Sequence, residues 1–185
     1  MKTFGQIILS VAITAPLFVL LFGNPTVLQK PILGLSLNLL VMCWWVIVVT
    51  IWQHQPSMPA GYYRIGKFEK DGKLYEWLGV RLAKAILRRG PLSVFNPNIK
   101  LVPGERDFQK LANHMQAAET AHAFLFVIVF VLTLYPLING WWAAVASWTI
   151  FNILINAYPV MLQRYNRARL QPLLNRKKTA AEYSE

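Results

Sequence analysis

Residues 120–163 read TAHAFLFVIVFVLTLYPLINGWWAAVASWTIFNILINAYPVMLQ, 44 positions without one Asp, Glu, Lys or Arg. A bilayer span takes roughly 20 predominantly apolar residues, so this stretch is long enough to cross twice. Leu134-Tyr135-Pro136-Leu137-Ile138-Asn139-Gly140 supplies the turn that divides it, because proline, asparagine and glycine together punctuate a helix. Upstream, Thr3 to Gln29 and Pro31 to Tyr63 also lack charged residues. We therefore expect an all-α integral membrane protein with four transmembrane helices, at about 6–23, 32–53, 117–137 and 141–163. Residues 1–185 read as a single membrane domain, with a cytosolic amphipathic helical insert at 54–116 and a basic cytosolic tail at 164–185.

Composition agrees. The chain is 55% hydrophobic and 15% charged, whereas a soluble domain carries about 25% charge, so polar surface is too scarce for a water-facing globule. The same apolar excess excludes disorder. The single cysteine, Cys43, excludes a disulfide framework and multi-cysteine zinc or iron–sulfur sites. Lys2 followed by an apolar run also fits a signal peptide. Phe22-Gly23-Asn24-Pro25, however, sets bulky residues and proline where a cleavage site needs small ones. The first helix is expected to be retained, with Pro16 tolerated as a kink.

Charge sets the orientation. Of 19 Lys and Arg, 11 lie in 54–116 and six follow Gln163, while Ile138 to Gly140 carries none. Lys/Arg excess marks the cytoplasmic side, which places a multi-pass protein in the cell membrane with both termini and the insert cytosolic. A net charge of +11 would suggest nucleic acid for a soluble chain. Beside membrane helices it suits anionic lipid, so no nucleic-acid partner is expected. Within the insert, Asp71-Gly72 signals a turn, and Leu74, Leu78, Leu82 and Ile86 predict one helix over 73–87, lying at the headgroups with its apolar stripe down. Gly90-Pro91 ends it, and Asn96-Pro97-Asn98 reads as loop. After Pro103-Gly104 a second helix is expected from about Glu105, with Phe108, Leu111, Met115 and Ala118 on its apolar side, running unbroken into the third span.

Glu119 and His122, at i and i+3, share a helix face at the cytosolic mouth of that span. An ionisable pair there is a functional candidate, with Glu119 able to hold the imidazole in one tautomer as a base requires; a solvated Glu119 beside an interfacial His122 is the plainer reading. His114 and Glu119 echo a His-x4-Asp box, but five helical residues turn about 500°, leaving their side chains some 140° apart, so His114 reads as a surface residue. His54 reads as an interface residue. Asn152 and Asn156, at i and i+4, form a polar line that belongs in the bundle interior, equally consistent with interhelical bonding and with substrate contact. Arg164, Arg167 and Arg169, with Tyr165 and Asn166 among them, follow the last span. Such arginines commonly snorkel, yet their forks also suit phosphate or carboxylate. Because spans three and four form a hairpin, this cluster and Glu119/His122 emerge at the same face.

The tail Gln163-Arg164-Tyr165-Asn166-Arg167-Ala168-Arg169-Leu170, preceded by Asn156-Ala157-Tyr158-Pro159, resembles the signature of the glycosyl-4,4'-diaponeurosporenoate acyltransferase family. Ala118-Glu119-Thr120-Ala121-His122 is similar to that family's Ala-Glu-x-x-His element. Phe68-Glu69-Lys70-Asp71-Gly72-Lys73-Leu74-Tyr75 and Leu78-Gly79-Val80-Arg81-Leu82-Ala83-Lys84 are similar to its central block. Departures fall near Ala83, Arg88 and Ala123, where the family carries an aromatic residue, a proline and often a tryptophan. The resemblance implies transfer of a fatty acyl group to a hydroxyl of a lipid-embedded glycosylated carotenoid or related glycolipid at the cytosolic interface. It implies His122 and Glu119 as base and orienter. Arg164, Arg167 and Arg169 would hold phosphates of acyl-CoA or a headgroup, with Arg81 and Lys84 assisting. Asn156 or Asn166 would polarise the thioester carbonyl, with Tyr165 completing the substrate-binding set. The implied partners are membrane lipid, an acyl donor (acyl-CoA or another) and a lipid-linked acceptor, with no separate cofactor and no metal. Nothing in the sequence sets an oligomeric state. The alternatives are another lipid-modifying membrane enzyme, such as a phospholipid acyltransferase or methyltransferase, and a non-catalytic accessory or assembly subunit. A transporter fits less well, since the ionisable pair sits at the mouth and none at the midplane.

Overall fold

The computed structural model describes residues 2–70, 72–89 and 108–182, and every regular element among them is helical. In chain order these are α1 (Lys2–Phe22), α2 (Pro25–Leu28), α3 (Leu33–Trp52), a 3₁₀ turn (Lys67–Glu69), α4 (Lys73–Trp77), α5 (Val80–Arg89), α6 (Phe108–Ile138), α7 (Trp142–Asn152), a π-helical turn (Ile153–Ala157) and α8 (Tyr158–Glu182). Three helices are long and apolar enough to cross a bilayer: Leu33–Trp52, Phe108–Ile138 and the continuous Trp142–Arg176. A shorter apolar run, Thr3–Val19, lies in α1. The turn expected before Gly140 is present, with Gly140 at φ +70° and the Trp141 N–H bonded to the Pro136 carbonyl at 2.9 Å.

Two expectations change. The last helix does not stop at 163 but runs on through the arginine cluster, because those side chains find protein partners and the helix gains packing there. The single helix expected over 73–87 is two. Gly79, at φ +79°, breaks it between α4 and α5, a conformation that glycine adopts without the Cβ penalty. The apolar stripe is interrupted with it, and Leu82 and Trp77 are 67% and 85% exposed. Asp71, the helix stop at Gly90-Pro91, the Asn96-Pro97-Asn98 loop, Pro103-Gly104 and the start near Glu105 lie outside the described residues.

The chain divides into two compact units. The first, Met1–Pro56 with Ala121–Ala157, has a core of Leu28, Leu37, Val41, Leu125, Val129, Ala144 and Trp148. Helices α3 and α7 approach closely at Gly34, where any Cβ would sit 2.8 Å from the Ser147 backbone carbonyl. Small residues permit such approach between membrane helices. The Ser147 hydroxyl donates to the Pro31 carbonyl there. Polar bonds join α1 to α3: the Trp44 indole donates to Thr14 at 3.0 Å, Trp52 to Ser10 at 3.0 Å and Gln6 to the Ile51 carbonyl at 2.8 Å. The second unit, Ser57–Thr120 with Tyr158–Glu185, packs Tyr75, Val80, Leu162 and Tyr165 as its core. Gly72, at φ +69°, lets the chain turn against the Tyr165 ring, which a Cβ would meet at 2.8 Å.

Candidate functional site

The second unit is built around four buried or half-buried charges. Arg164 reaches Glu69 with two nitrogens, Nε to Oε1 at 2.8 Å and Nη2 to Oε2 at 3.1 Å. Its Nη1 donates to Glu119 Oε1 and to the Tyr62 carbonyl, both at 3.0 Å. Arg167 Nη1 stands 3.2 Å from Glu119 Oε2, and its Nη2 donates to the Tyr63 carbonyl at 2.6 Å. Two arginines thus balance two carboxylates. Burial of ions is tolerable only with such pairing and with the remaining donors satisfied, and the backbone carbonyls of 62–64 complete much of that set.

Glu69 lies outside the spanning helices and was not among the expected site residues. Burial pushes its carboxyl up. Bonds from Arg164, from the Tyr75 hydroxyl and from the Gly66 N–H outweigh that and hold it at about 2. Burial, reinforced by Glu69, raises the Tyr75 phenol to about 12. Glu69 and Tyr75 carry no sequence periodicity that would mark them. Both lie in the stretch 68–75, whose resemblance was the one sequence signal available.

Arg169, Tyr165, Lys84 and Arg81 form a second arrangement in this unit. They line a groove of about 380 Å³ with Glu76 and Ala85. Tyr165 donates to Glu76 at 2.8 Å and accepts from Arg169 at 3.1 Å. Lys84 and Arg169 both lie over its ring, at 5.8 and 5.5 Å from the centroid, a geometry in which the ring quadrupole attracts the cations. Lys84 also donates to Asn166 Oδ1 at 3.1 Å, and Arg81 meets Glu76 at 3.6 Å. Three cations therefore face one carboxylate, leaving an excess of positive charge suited to an anion.

In the first unit, His122 Nδ1 meets Asn156 Oδ1 at 3.3 Å. Asn156 Nδ2 donates to Asn38 Oδ1 at 3.0 Å and to Asn152 Oδ1 at 2.9 Å. Asn38 donates in turn to the Gly34 carbonyl at 2.8 Å, and Asn152 to that of Phe126 at 3.0 Å. Each amide is thus fixed as to which end is oxygen. Asn156 presents oxygen to the ring, so Nδ1 is the nitrogen that donates to it, and in the neutral imidazole the lone pair is then on Nε2. Asn38 was legible only as the lone amide in an apolar run.

The structure places the expected residues as follows. Glu119 gives its oxygens to Arg164 and Arg167, while His122 is bonded to Asn156. Asn156 spends both amide hydrogens on Asn38 and Asn152. All three Arg164 nitrogens have protein partners, whereas Arg81, Lys84 and Arg169 line the groove. His114 and His54 are exposed.

Comparison with known proteins places residues 59–176 on the family model described as glycosyl-4,4'-diaponeurosporenoate acyltransferase. That match takes in every arginine and carboxylate above, with His122 and Asn156, and leaves Asn38 outside. No curated protein and no solved structure matches the chain.

Proposed function

The chain belongs to the glycosyl-4,4'-diaponeurosporenoate acyltransferase family, and from that premise we propose that it moves a fatty acyl group onto a hydroxyl of a lipid-embedded glycolipid, with His122 as general base. Family membership makes the chain an acyltransferase, so a methyltransferase or an accessory subunit gives way as a reading. The observation that supports the proposal is the Asn38/Asn152–Asn156–His122 chain, which orients the ring and, in the neutral imidazole, leaves the lone pair on Nε2. A positioned base of this kind contributes roughly 10²–10⁴-fold to proton-transfer steps.

Nε2 takes the proton from the acceptor hydroxyl as its oxygen attacks the thioester carbonyl of the donor. The carbon–sulfur bond then breaks, and the imidazolium returns the proton to the departing thiolate, so an ester and a free thiol leave. The groove of Arg81, Lys84 and Arg169 holds the donor's phosphates, with Tyr165 ordering the two cations beside it. The acyl chain and acceptor come from the bilayer, and the protein works in the cell membrane with this groove facing the cytosol.

Mass spectrometry of total lipids tests the reading in four strains at matched protein levels: deletion, wild type, His122→Ala and Asn156→Ala. A lipid heavier by one acyl unit is expected in wild type, lost with His122→Ala and reduced with Asn156→Ala. Identical lipid profiles in all four would sink it.

A further inference from the structure

Arg64 and Lys70 line one cavity of about 630 Å³ in the second unit, and among the described residues no carboxylate lines it. Both side chains are exposed, and neither has a hydrogen-bond or ion-pair partner among the described residues. Glu69, next to Lys70, is 4% exposed and gives both oxygens to Arg164. Its charge is already balanced and does not oppose an incoming anion. The groove of Arg81, Lys84 and Arg169 shares no lining residue with this cavity.

Both cations stand on backbone that the buried arginines hold. Arg164 donates to the Tyr62 and Arg64 carbonyls at 3.0 and 3.4 Å, and Arg167 to the Tyr63 carbonyl at 2.6 Å. The segment carrying Arg64 is therefore bonded at three successive carbonyls. Lys70 directly follows the 3₁₀ turn that Arg164 pins through Glu69. Backbone fixed before a ligand arrives lowers the ordering cost of binding.

Size and lining narrow the ligand. Small-molecule sites span roughly 300–1,000 Å³. At about 30 Å³ for each water, the cavity has room for about 20 waters, well beyond what inorganic phosphate fills. Ile65, Ala168 and Pro172 give it an apolar wall. Arginine matches phosphate with its fork and lysine adds a point charge. An ammonium, as in choline or ethanolamine, meets two cations and no carboxylate among the described residues, so a net-anionic headgroup is favoured over a zwitterionic one. Phe68, on the same turn as Lys70, is 75% exposed, and an exposed aromatic beside a cation suits the headgroup level of a membrane.

We propose that this cavity binds the phosphate of an anionic glycerophospholipid, tying the second unit to an anionic leaflet. The proposal does not rest on the acyltransferase reading.

The test uses the full chain in phosphatidylcholine nanodiscs, doped in turn with phosphatidylglycerol and with the matching diacylglycerol, which lacks phosphate. Lipid retained on the purified protein is counted by native mass spectrometry. Phosphatidylglycerol should be retained about tenfold over diacylglycerol, and Arg64→Gln with Lys70→Gln should abolish that preference, about 1.4 kcal/mol. Lys67→Gln with Lys73→Gln removes the same charge from exposed positions outside the cavity and should leave retention within about twofold of wild type, as should Arg169→Ala in the groove. Near-ultraviolet circular dichroism checks that each variant is folded, and Lys70→Glu alone gives a second reading of the site if the Arg64/Lys70 double variant is not. Inorganic phosphate and coenzyme A, added as soluble competitors, should leave the lipid in place. Displacement by either makes the source a soluble phosphate and overturns the lipid assignment. Equal retention of the two lipids, equal loss in both double variants (diffuse attraction to a basic surface), or loss with Arg169→Ala (lipid seated in the groove) overturns the site itself.

Discussion

Removing the Arg164 guanidinium would strand two carboxylates, Glu69 at 4% and Glu119 at 0% exposure, with too few remaining partners for their charge. Breaking a buried ion pair from one side typically costs about 3–5 kcal/mol. Arg164→Ala should therefore lower the thermal midpoint in detergent micelles sharply, while Arg169→Ala, exposed at the groove, leaves it near wild type and weakens donor binding instead. If Arg169→Ala unfolds the protein and Arg164→Ala does not, the division between structural and ligand-facing arginines is wrong. Glu69 adds a pH signature. Its carboxyl is depressed from 4.5 to about 2, so its contribution to folding is fully present above pH 4.5 and is lost as pH falls towards 2. With about 1.4 kcal/mol per unit, the loss is on the order of 3 kcal/mol. Acid titration of the thermal midpoint should show that slope in wild type and lack it in Glu69→Gln. The arginine cluster and Glu119 were legible in sequence because charge next to an apolar run is conspicuous. Their mutual pairing was not, since Glu69 lies 95 residues from Arg164 and neither spacing nor periodicity joins them.

Among the elements, the turn dividing the last two long apolar helices was legible, because 44 uncharged positions admit few alternatives in a bilayer, whereas the run of the last helix on to Arg176 was not. The break between α4 and α5 was hidden by its own regularity. Leu74, Leu78 and Leu82 keep four-residue spacing straight through Gly79, and only the positive φ there stops the helix. Gly79→Ala should cost about 1–3 kcal/mol as a left-handed non-glycine residue, read from chemical unfolding of the detergent-solubilised protein. A neutral or stabilising result would mean that 73–89 can run as one helix. Trp77 and Phe68, 85% and 75% exposed, lie on the unit that carries Arg81 and Lys84. Tryptophan at that density beside lysine and arginine belongs at the headgroup level. In a variant retaining Trp77 alone of the seven tryptophans, brominated lipid should quench its emission when the bromine is near the headgroup and much less when it is at the chain end.

At the scale of the whole molecule, the way the chain faces bears directly on the donor, since acyl-CoA is a cytosolic metabolite. The charge asymmetry is steep: 11 Lys and Arg in 54–116 and six after Gln163, against none in the connection Ile138 to Gly140. Short loops obey such a bias closely, and Lys30 alone runs against it. Cys43 is the single native thiol and is exposed, so Cys43→Ser gives a background into which one reporter can be set at a time. Gly61 has open space where a Cβ would go, and Asn139 is exposed in the turn after α6. A membrane-impermeant maleimide should label Gly61→Cys in inside-out vesicles and not in intact cells, and Asn139→Cys in intact cells. The reverse pattern would put the Arg81, Lys84 and Arg169 groove outside the cell, away from CoA, and the donor would then have to be an extracytoplasmic acyl lipid.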